Sequence, residues 1–317
     1  MSTTAIKIIA LIFMTTDHIG SFIPDMPVWL HYIGRLAYPL FAFASAWGFY
    51  YTHDKKLYMK RLYKMSLLMC VIDILVPVVA KTLFHVNSAE SLNNNIFSSI
   101  LFADIVIYLI ESTSSDKKKR KKYLLAFAAY QAVVYVLVIM LYFGISDITF
   151  VDLSLLPGVE GFLTVLPATA LCSALVTEGP LYLTLMIVLI YYSMHDKKKL
   201  TINYFIYNIA FFLLVVTRFV NIFFYKLSLH FPDNIIVSFF EYTAGFFGFT
   251  TDGMDLAMSR SFYNSVFFVN YQWFMIFALP FMLMYNGKKG RGMKYLFYIY
   301  YPLHIVVLYC IGISIPL

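Results

Sequence analysis

The chain has 317 residues and a formal net charge of +7; 61% of its residues are hydrophobic and only 13% carry a charge. Soluble domains have about a quarter of their residues charged, so this composition excludes a soluble globular protein. It also excludes an intrinsically disordered one, because apolar surface to bury is abundant. Aromatic residues, which concentrate at bilayer interfaces, make up 19% of the chain. We therefore predict an all-α polytopic membrane helix bundle.

Most of the positive charge lies in four short basic clusters between apolar segments. We take these clusters as cytoplasmic loops, because Lys and Arg accumulate on the cytoplasmic side of membrane proteins. They could also meet an anionic lipid leaflet or a phosphate-bearing ligand, whereas no nucleic-acid partner is predicted. The clusters span Lys55–Lys64, Lys117–Lys122, Lys197–Lys199 and Lys288–Lys294.

Nine apolar segments are predicted as full membrane crossings. The first is expected to begin on the cytoplasmic side, so that the protein is a multi-pass protein of the cell membrane with its N-terminus inside. In chain order, the predicted helices cover approximately Ile6–Ile23, Val28–Tyr51, Leu62–Phe84, Ile96–Ile110, Tyr123–Phe143, Leu181–Met194, Ile202–Tyr225, Val266–Tyr285 and Tyr295–Ile313.

Two further apolar stretches, Leu153–Val176 and Ile235–Phe249, are interrupted by Pro, Gly or Glu residues. If all four basic clusters are cytoplasmic, each stretch must re-enter the membrane without crossing it or contain an extra pair of crossings. Broken helices at membrane depth are tolerated where they line a cavity. We therefore predict nine full crossings and two partial ones, with ten or eleven crossings left open. Because no long linker or internal repeat is visible, residues 1–317 are predicted to form a single domain.

Polar residues inside predicted membrane helices are rare and are candidates for function. In the first helix, Lys7 and His18 are eleven residues apart, which is close to three turns and about 16 Å along the axis. Both side chains therefore lie on nearly the same face, with Lys7 at the cytoplasmic edge and His18 deep in the membrane. An extended ligand with an anionic head and a reactive tail would span that distance. The alternative for Lys7 is a side chain that simply extends to the interface.

Asp17 precedes His18, and Arg35 lies in the second predicted helix. One interpretation is a structural Asp17–Arg35 ion pair that connects the two helices, with His18 a hydrogen-bonded core residue. The other gives Asp17 and His18 a functional role, and the two interpretations are compatible. Arg35 is about 24 Å from the cytoplasmic end of its helix, so it could also meet an acceptor that arrives from outside.

The last predicted helix contains a second histidine, His304, three residues after Tyr301. It lies nine residues from Tyr295, which is about 13 Å into the membrane and close to the depth of His18. Pro302 frees a backbone carbonyl one turn earlier. The two histidines could therefore share one polar cavity. The alternative is a core histidine bonded to a neighbouring carbonyl.

The fourth basic cluster begins with a loop, Asn286–Gly292, that contains three glycines and three basic residues. Backbone N–H groups and cations in such a loop can bind phosphate; the alternative is a solvated loop that only sets the topology. The loop lacks the spacing and the Ser/Thr of a Walker P-loop, and the chain has no zinc, nucleophile-elbow or dinucleotide motif, so no metal is expected. The candidate ligand-binding residues of the loop are Asn286, Gly287, Lys288 and Arg291.

Three segments resemble the TraX family, which is named for F-pilin acetylation. They cover about a seventh of the chain and lie near both of its ends. Lys7 and His18 are also similar to the Arg-x10-His motif of the acyltransferase-three family, with Lys in place of Arg. The three segments are Lys7-Ile-Ile-Ala-Leu-Ile-Phe-Met-Thr-Thr-Asp-His-Ile-Gly20, Gly34-Arg-Leu-Ala-Tyr-Pro-Leu-Phe-Ala-Phe43 and Tyr285-Asn-Gly-Lys-Lys-Gly-Arg-Gly-Met-Lys-Tyr-Leu-Phe-Tyr-Ile-Tyr-Tyr-Pro-Leu-His304.

The resemblance implies a membrane-embedded acetyltransferase that uses acetyl-CoA as its donor substrate. It also implies an amine or hydroxyl acceptor at the membrane or its outer face, such as a peptide N-terminus. His18 is then expected to act as a general base with Asp17 nearby, and an acetyl-His intermediate is a further option. The expected catalytic residues are His18, Asp17, His304 and Tyr301. The expected donor-binding residues are Lys7, Arg35, Asn286, Gly287, Lys288 and Arg291.

The alternative hypothesis is a transporter or flippase without covalent chemistry. Broken stretches and buried charges fit such a protein as well, but it predicts an internal repeat and gives no reason for the glycine-rich basic loop. In either case membrane lipid is an expected partner. For the acetyltransferase the further partners are coenzyme A and an unidentified peptide, glycan or lipid acceptor.

Overall fold

A computed structural model describes residues 1–84, 92, 94–148, 161–179, 181–232, 234–249 and 262–315. Every regular element in these ranges is a helix, and none of them contains a strand. This confirms the prediction of an all-α polytopic bundle.

The α-helices differ widely in length, from a single turn to more than eight turns. In the first half of the chain they are α1 (Thr3–Phe22), α2 (Trp29–Gly34), α3 (Ala37–Tyr51), α4 (Lys55–Phe84), α5 (Ile96–Ser112), α6 (Lys117–Ile148) and α7 (Leu166–Ala170). In the second half they are α8 (Leu181–Tyr191), α9 (Lys197–Phe211), α10 (Phe219–His230), α11 (Ile235–Phe247), α12 (Phe262–Asn264), α13 (Leu279–Leu283) and α14 (Lys294–Ser314).

Five helical segments of the described chain are long and apolar enough to cross a membrane. The chain is therefore a multi-pass membrane protein, while the count of nine to eleven crossings stays a prediction. The five segments are Thr3–Phe22, Lys55–Ala80, Lys117–Val138, Lys197–His230 and Tyr295–Ser314.

Backbone contacts divide the chain into two compact units, each built from two separate parts of the sequence. The first unit comprises Met1–Gly48 and Gly179–Met293. In it α1 packs on α2, and a 3₁₀ helix, Tyr271–Ala278, packs on α2 and α9. The Tyr204 hydroxyl in α9 donates to the Met275 carbonyl at 2.5 Å, with both residues fully buried.

The second unit comprises Phe49–Glu178 and Lys294–Leu317. Its long helix α4 packs against α5 and α14, and α5 also packs against α6. The assignment of residues 1–317 to a single domain stays a prediction.

Three of the four basic clusters lie in the first turns of helices, so their prediction as loops is wrong. An aspartate before each cluster explains this, since a carboxylate that accepts from free N–H groups begins a helix and offsets nearby cations. Before α9, Asp196 Oδ1 accepts from the backbone N–H groups of Lys198 at 2.8 Å and Lys199 at 3.3 Å. Asp54 and Asp116 do the same for α4 and α6.

The predicted helix Val28–Tyr51 is broken into α2 and α3. Helix α2 ends at Gly34 and α3 begins at Ala37, so Arg35 lies at the break. Pro39 accounts for it, because proline has no N–H to donate to the Arg35 carbonyl one turn earlier. Arg35 thus lies where the two short helices meet.

Two other predicted helices are also discontinuous. Within Ile202–Tyr225, a π-helical turn at Phe212–Val216 follows α9, and α10 starts after Arg218, whose φ is +61°. Within Val266–Tyr285, a π-helical turn and the 3₁₀ helix precede the short helix α13. There the Trp273 indole N–H donates to the Val266 carbonyl at 2.9 Å, so a side chain satisfies a carbonyl that the irregular backbone exposes.

The two interrupted stretches differ from each other. The described part of Leu153–Val176 consists of a π-helical turn, α7 and a 3₁₀ turn, which confirms an interruption; Pro157 and Gly158 lie outside the described residues. The stretch Ile235–Phe249 contains one regular helix, α11, of 13 residues. It ends at Phe247 and is capped by Gly248, whose φ is +81°. Such a helix is about 20 Å long, shorter than the roughly 30 Å hydrocarbon core.

Candidate functional site

The glycine-rich basic loop is joined to the N-terminus of α1 by backbone hydrogen bonds. The Thr3 N–H donates to the Lys288 carbonyl at 2.9 Å, and the Thr4 N–H donates to the Lys289 carbonyl at 3.1 Å. The Thr4 hydroxyl also donates to the Arg291 carbonyl at 2.8 Å. Two segments almost 300 residues apart in sequence therefore form one local structure.

Two glycines let the loop take this path. Gly287 and Gly290 both have φ +76°, a conformation that favours glycine. A Cβ on Gly290 would lie 2.5 Å from the Ser2 hydroxyl oxygen, whereas a Cβ on Gly287 would meet no atom within 4 Å. The Asn286 side-chain carbonyl accepts from the Lys288 N–H at 3.1 Å and forms the turn at the start of the loop. The glycine at 290 thus permits the close approach of the α1 N-terminus.

This junction brings several cations together. Lys7, half-buried on α1, is within electrostatic reach of Lys289. Lys288, Lys289 and Arg291 are exposed. Because like charges repel, this cluster of cations favours a bound anion.

A second polar cluster in the same unit is centred on Asp17. Arg35 Nη2 donates to Asp17 Oδ1 at 2.6 Å and also contacts Oδ2. His31 Nδ1 lies 2.9 Å from Asp17 Oδ1. Arg35 Nη1 donates in addition to the Gln272 side-chain carbonyl at 3.1 Å. The predicted Asp17–Arg35 pair is therefore present, and it connects α1, α2 and the 3₁₀ helix.

The aromatic ring of Tyr271 supports both basic members of this cluster. The His31 ring stacks on it with 5.5 Å between centroids and 18° between planes. The Arg35 guanidinium carbon lies 5.4 Å from the centroid of the same ring. A cation beside an aromatic face is attracted by the ring quadrupole.

Small residues allow α1 and α2 to approach closely at this cluster. A Cβ built on Gly34 would overlap the side chain of Asp17, and one built on Gly20 would lie 3.1 Å from Cε1 and Nε2 of His31. Glycine at both positions is therefore needed for the contact between the two helices.

His18 is buried, and its ring centroid lies 5.6 Å from that of Phe22. It is within electrostatic reach of Asp17, but the hydrogen bonds that the Asp17 carboxylate makes with described residues go to His31 and Arg35. Neighbours in a helix point in different directions. The predicted role of His18 as a base stays a prediction.

His304 and Tyr301 belong to the second unit, where both are buried in α14. His304 Nδ1 lies 2.9 Å from the Tyr300 carbonyl, as the alternative interpretation of a carbonyl-bonded histidine predicts. The Tyr301 hydroxyl donates to Glu178 Oε2 at 2.6 Å and accepts from the Ile96 N–H at 3.2 Å. Because His18 lies in the other unit, the prediction of a cavity shared by the two histidines stays a prediction.

Sequence reasoning missed His31, Tyr271 and Gln272 in the first unit and Glu178 in the second. One signal was available for His31, because it lies four residues before Arg35 and such residues share one face of a helix. No comparable spacing identifies Tyr271 or Glu178, since each meets its partner only through the tertiary fold. Among the described residues, no group of three or more His, Cys, Asp or Glu is arranged to hold a metal ion.

Comparison with known proteins identifies one family. A sequence profile of the family described as TraX protein matches residues 2–218, which is more than half of the chain. No curated protein matches the chain, and no solved structure matches it.

The contact between Gly34 and Asp17 gives a testable prediction. Replacement of Gly34 by alanine should lower the free energy of unfolding by about 1–3 kcal/mol, because the new methyl group must displace Asp17 or separate the two helices. Gly292→Ala is the matched control, since nothing lies within 4 Å of that position. Thermal unfolding of both variants in detergent measures the difference. Equal stability of the two variants would contradict the close packing at Gly34.

Proposed function

The chain belongs to the TraX family, and we propose that it is a membrane-embedded acetyltransferase. It moves an acetyl group from cytoplasmic acetyl-CoA to an amine or hydroxyl acceptor at the membrane or its outer face. The observation that carries this proposal is the junction between the basic loop and the N-terminus of α1. This junction assembles cations at the start of the helix that also contains His18.

The phosphates of coenzyme A bind at this junction in the proposed complex. Lys7, Lys288 and Arg291 supply positive charge, and the turn formed by Asn286 and Gly287 positions the loop. An anion placed there relieves the repulsion between Lys7 and its basic neighbours. Lysine offers a point charge rather than the fork of arginine, so the contact with phosphate is electrostatic more than directional.

Helix α1 then sets the distance between the phosphates and the reacting group. Lys7 and His18 are about 16 Å apart along the axis and lie on nearly the same face, and α1 is continuous between them. The extended arm of coenzyme A runs along this face, so that its thioester meets the buried His18.

The chemistry at His18 is acyl transfer. His18 acts on the acetyl group as a general base or through an acetyl-His intermediate, with the Asp17 charge nearby to stabilise an imidazolium. Arg35 holds Asp17 in place and so supports the site rather than the coenzyme A phosphates. His304 and Tyr301 stay predicted catalytic residues.

The proposed orientation places the N-terminus in the cytoplasm and the protein in the cell membrane. All four basic clusters then face the cytoplasm, as the positive-inside rule expects. The donor site at the loop is consequently on the side where acetyl-CoA is made available.

A transporter or flippase is the second candidate, because helices are broken at two buried or half-buried arginines, Arg35 and Arg218. Broken helices in transporters surround sites for ions and substrates. A transporter would move its substrate across the membrane without transferring an acetyl group. An assay of acetyl transfer therefore distinguishes the two candidates.

The direct test incubates purified protein with acetyl-labelled coenzyme A and cell-envelope material. Transfer of label supports the acetyltransferase, and the labelled species identifies the acceptor class. His18→Ala should lower transfer by about 100-fold or more, the usual range for loss of a general base. Binding of coenzyme A without any label transfer by the wild-type protein would contradict the proposal and favour transport.

Lys7 and the loop should serve donor binding rather than chemistry. Because Lys7 is about 16 Å from His18, its contact with phosphate is the same in ground and transition states, so its loss raises KM and spares kcat. Lys7→Ala and the double variant Lys288→Ala/Arg291→Ala should weaken coenzyme A binding several-fold, and more strongly at low ionic strength. Calorimetry measures the Kd.

Two controls accompany this measurement. Lys122→Ala removes an exposed lysine from another basic cluster and should leave the Kd unchanged. His18→Ala should still bind coenzyme A. Wild-type affinity in the Lys7→Ala variant would show that the cofactor does not lie along α1.

A further inference from the structure

His31 has the geometry of a histidine that is oriented by a carboxylate. Its Nδ1 lies 2.9 Å from Asp17 Oδ1, and the side chains of His31 and Asp17 are 17% and 16% exposed. The described residues provide no hydrogen-bond partner for Nε2 of His31. The nitrogen opposite Asp17 is therefore available in the described part of the chain.

Pairing of charge does not explain why His31 is present. Arg35 already contacts both oxygens of Asp17, so the buried carboxylate has a full counter-charge without the histidine. His31 adds a second contact to Oδ1, and its ring is fixed between the stack on Tyr271 and the close approach at Gly20. A methyl group at position 20 would lie 3.1 Å from Nε2 and would crowd this edge of the ring.

A histidine paired with a carboxylate in this way can act as a base. A carboxylate bound to Nδ1 holds the imidazole in the tautomer whose Nε2 lone pair can accept a proton, and it stabilises the imidazolium that forms. Arg35 and Gln272 keep the carboxylate in position. The Asp17–His31 pair is thus preorganised for proton transfer.

We propose that His31 is a catalytic residue that takes the proton of the acceptor through Nε2, with Asp17 and Arg35 as its positioning residues. The proposal rests on the acetyltransferase function and refines it, because His18 is then left to contact the acetyl group.

The step balances in atoms and electrons. The acceptor nitrogen or oxygen forms a bond to the acetyl carbonyl carbon, and its proton moves to Nε2 of His31. The carbon–sulfur bond of the thioester breaks, and coenzyme A leaves as a thiolate. The thiolate takes up the proton that His31 releases, so the imidazole returns to its neutral form.

The decisive variant is His31→Asn. An asparagine amide N–H can take the place of Nδ1–H and keep the contact with Asp17, but asparagine has no basic nitrogen in place of Nε2. His230→Asn is the matched control, because His230 is exposed and its Nδ1 lies 2.9 Å from a backbone carbonyl of its own helix, that of Lys226. Both variants and the wild type are assayed as full-length protein in detergent.

Three readouts are measured: the Kd for coenzyme A, transfer of labelled acetyl to cell-envelope material, and transfer to added hydroxylamine, with the protein-free rate subtracted. Hydroxylamine is unprotonated at neutral pH and is a strong nucleophile, so it needs little help from a base. We expect His31→Asn to bind coenzyme A normally and to lose about 100-fold or more of the transfer to envelope material. Transfer to hydroxylamine should fall less than tenfold, and His230→Asn should match the wild type.

The three readouts distinguish a failure of the proposed function from a failure of the assignment of His31. A wild type that labels neither acceptor overturns the proposed function and, with it, the assignment of His31. A wild type that transfers acetyl together with an equally active His31→Asn variant overturns the assignment of His31 alone. Parallel loss of coenzyme A binding and of both transfer reactions in His31→Asn would also overturn it, because that pattern indicates a structural role.

Discussion

A carboxylate inside a membrane helix must be paired, because an isolated charge in this environment is costly. Asp17 in α1 meets this requirement through Arg35 and His31, both of which lie at the end of α2. The close approach depends on Gly34, and Pro39 breaks the following helix so that Arg35 lies at the junction. This ion pair therefore fixes how the first two helices pack, and Tyr271 and Gln272 extend it to the 3₁₀ helix.

The same helix, α1, connects the two polar regions of the first unit. Its N-terminus is held by the glycine-rich loop, and its deeper part contains His18 and Asp17. Because α1 is continuous, the cationic surface at its N-terminus and the buried His18 are held at a fixed distance from each other. The proposed acetyltransferase needs that separation, because the donor carries its phosphates and its thioester at opposite ends.

Much of this arrangement could be predicted from the sequence, because it follows from local rules. The spacing of Lys7 and His18, the Asp17–Arg35 pair and the all-α fold depend on helical periodicity and on the cost of buried charge. The junction of the loop with Thr3 and Thr4 could not be predicted from spacing, since it joins opposite ends of the chain. The stacking of His31 on Tyr271 joins distant segments in the same way. The helix starts at the basic clusters depend on aspartates whose side chains accept from backbone N–H groups, and a run of lysines alone does not indicate such a cap.

The most direct test of the central ion pair is a double-mutant cycle on Asp17→Asn and Arg35→Gln, with the free energy of unfolding measured in detergent. Each single variant should lose about 3–5 kcal/mol, since it removes the main counter-charge of a largely buried partner. The double variant should be more stable than the sum of the two losses predicts, with a coupling energy of about 1–3 kcal/mol. Losses that add to within about 0.5 kcal/mol would contradict the account, because independent residues behave in that way.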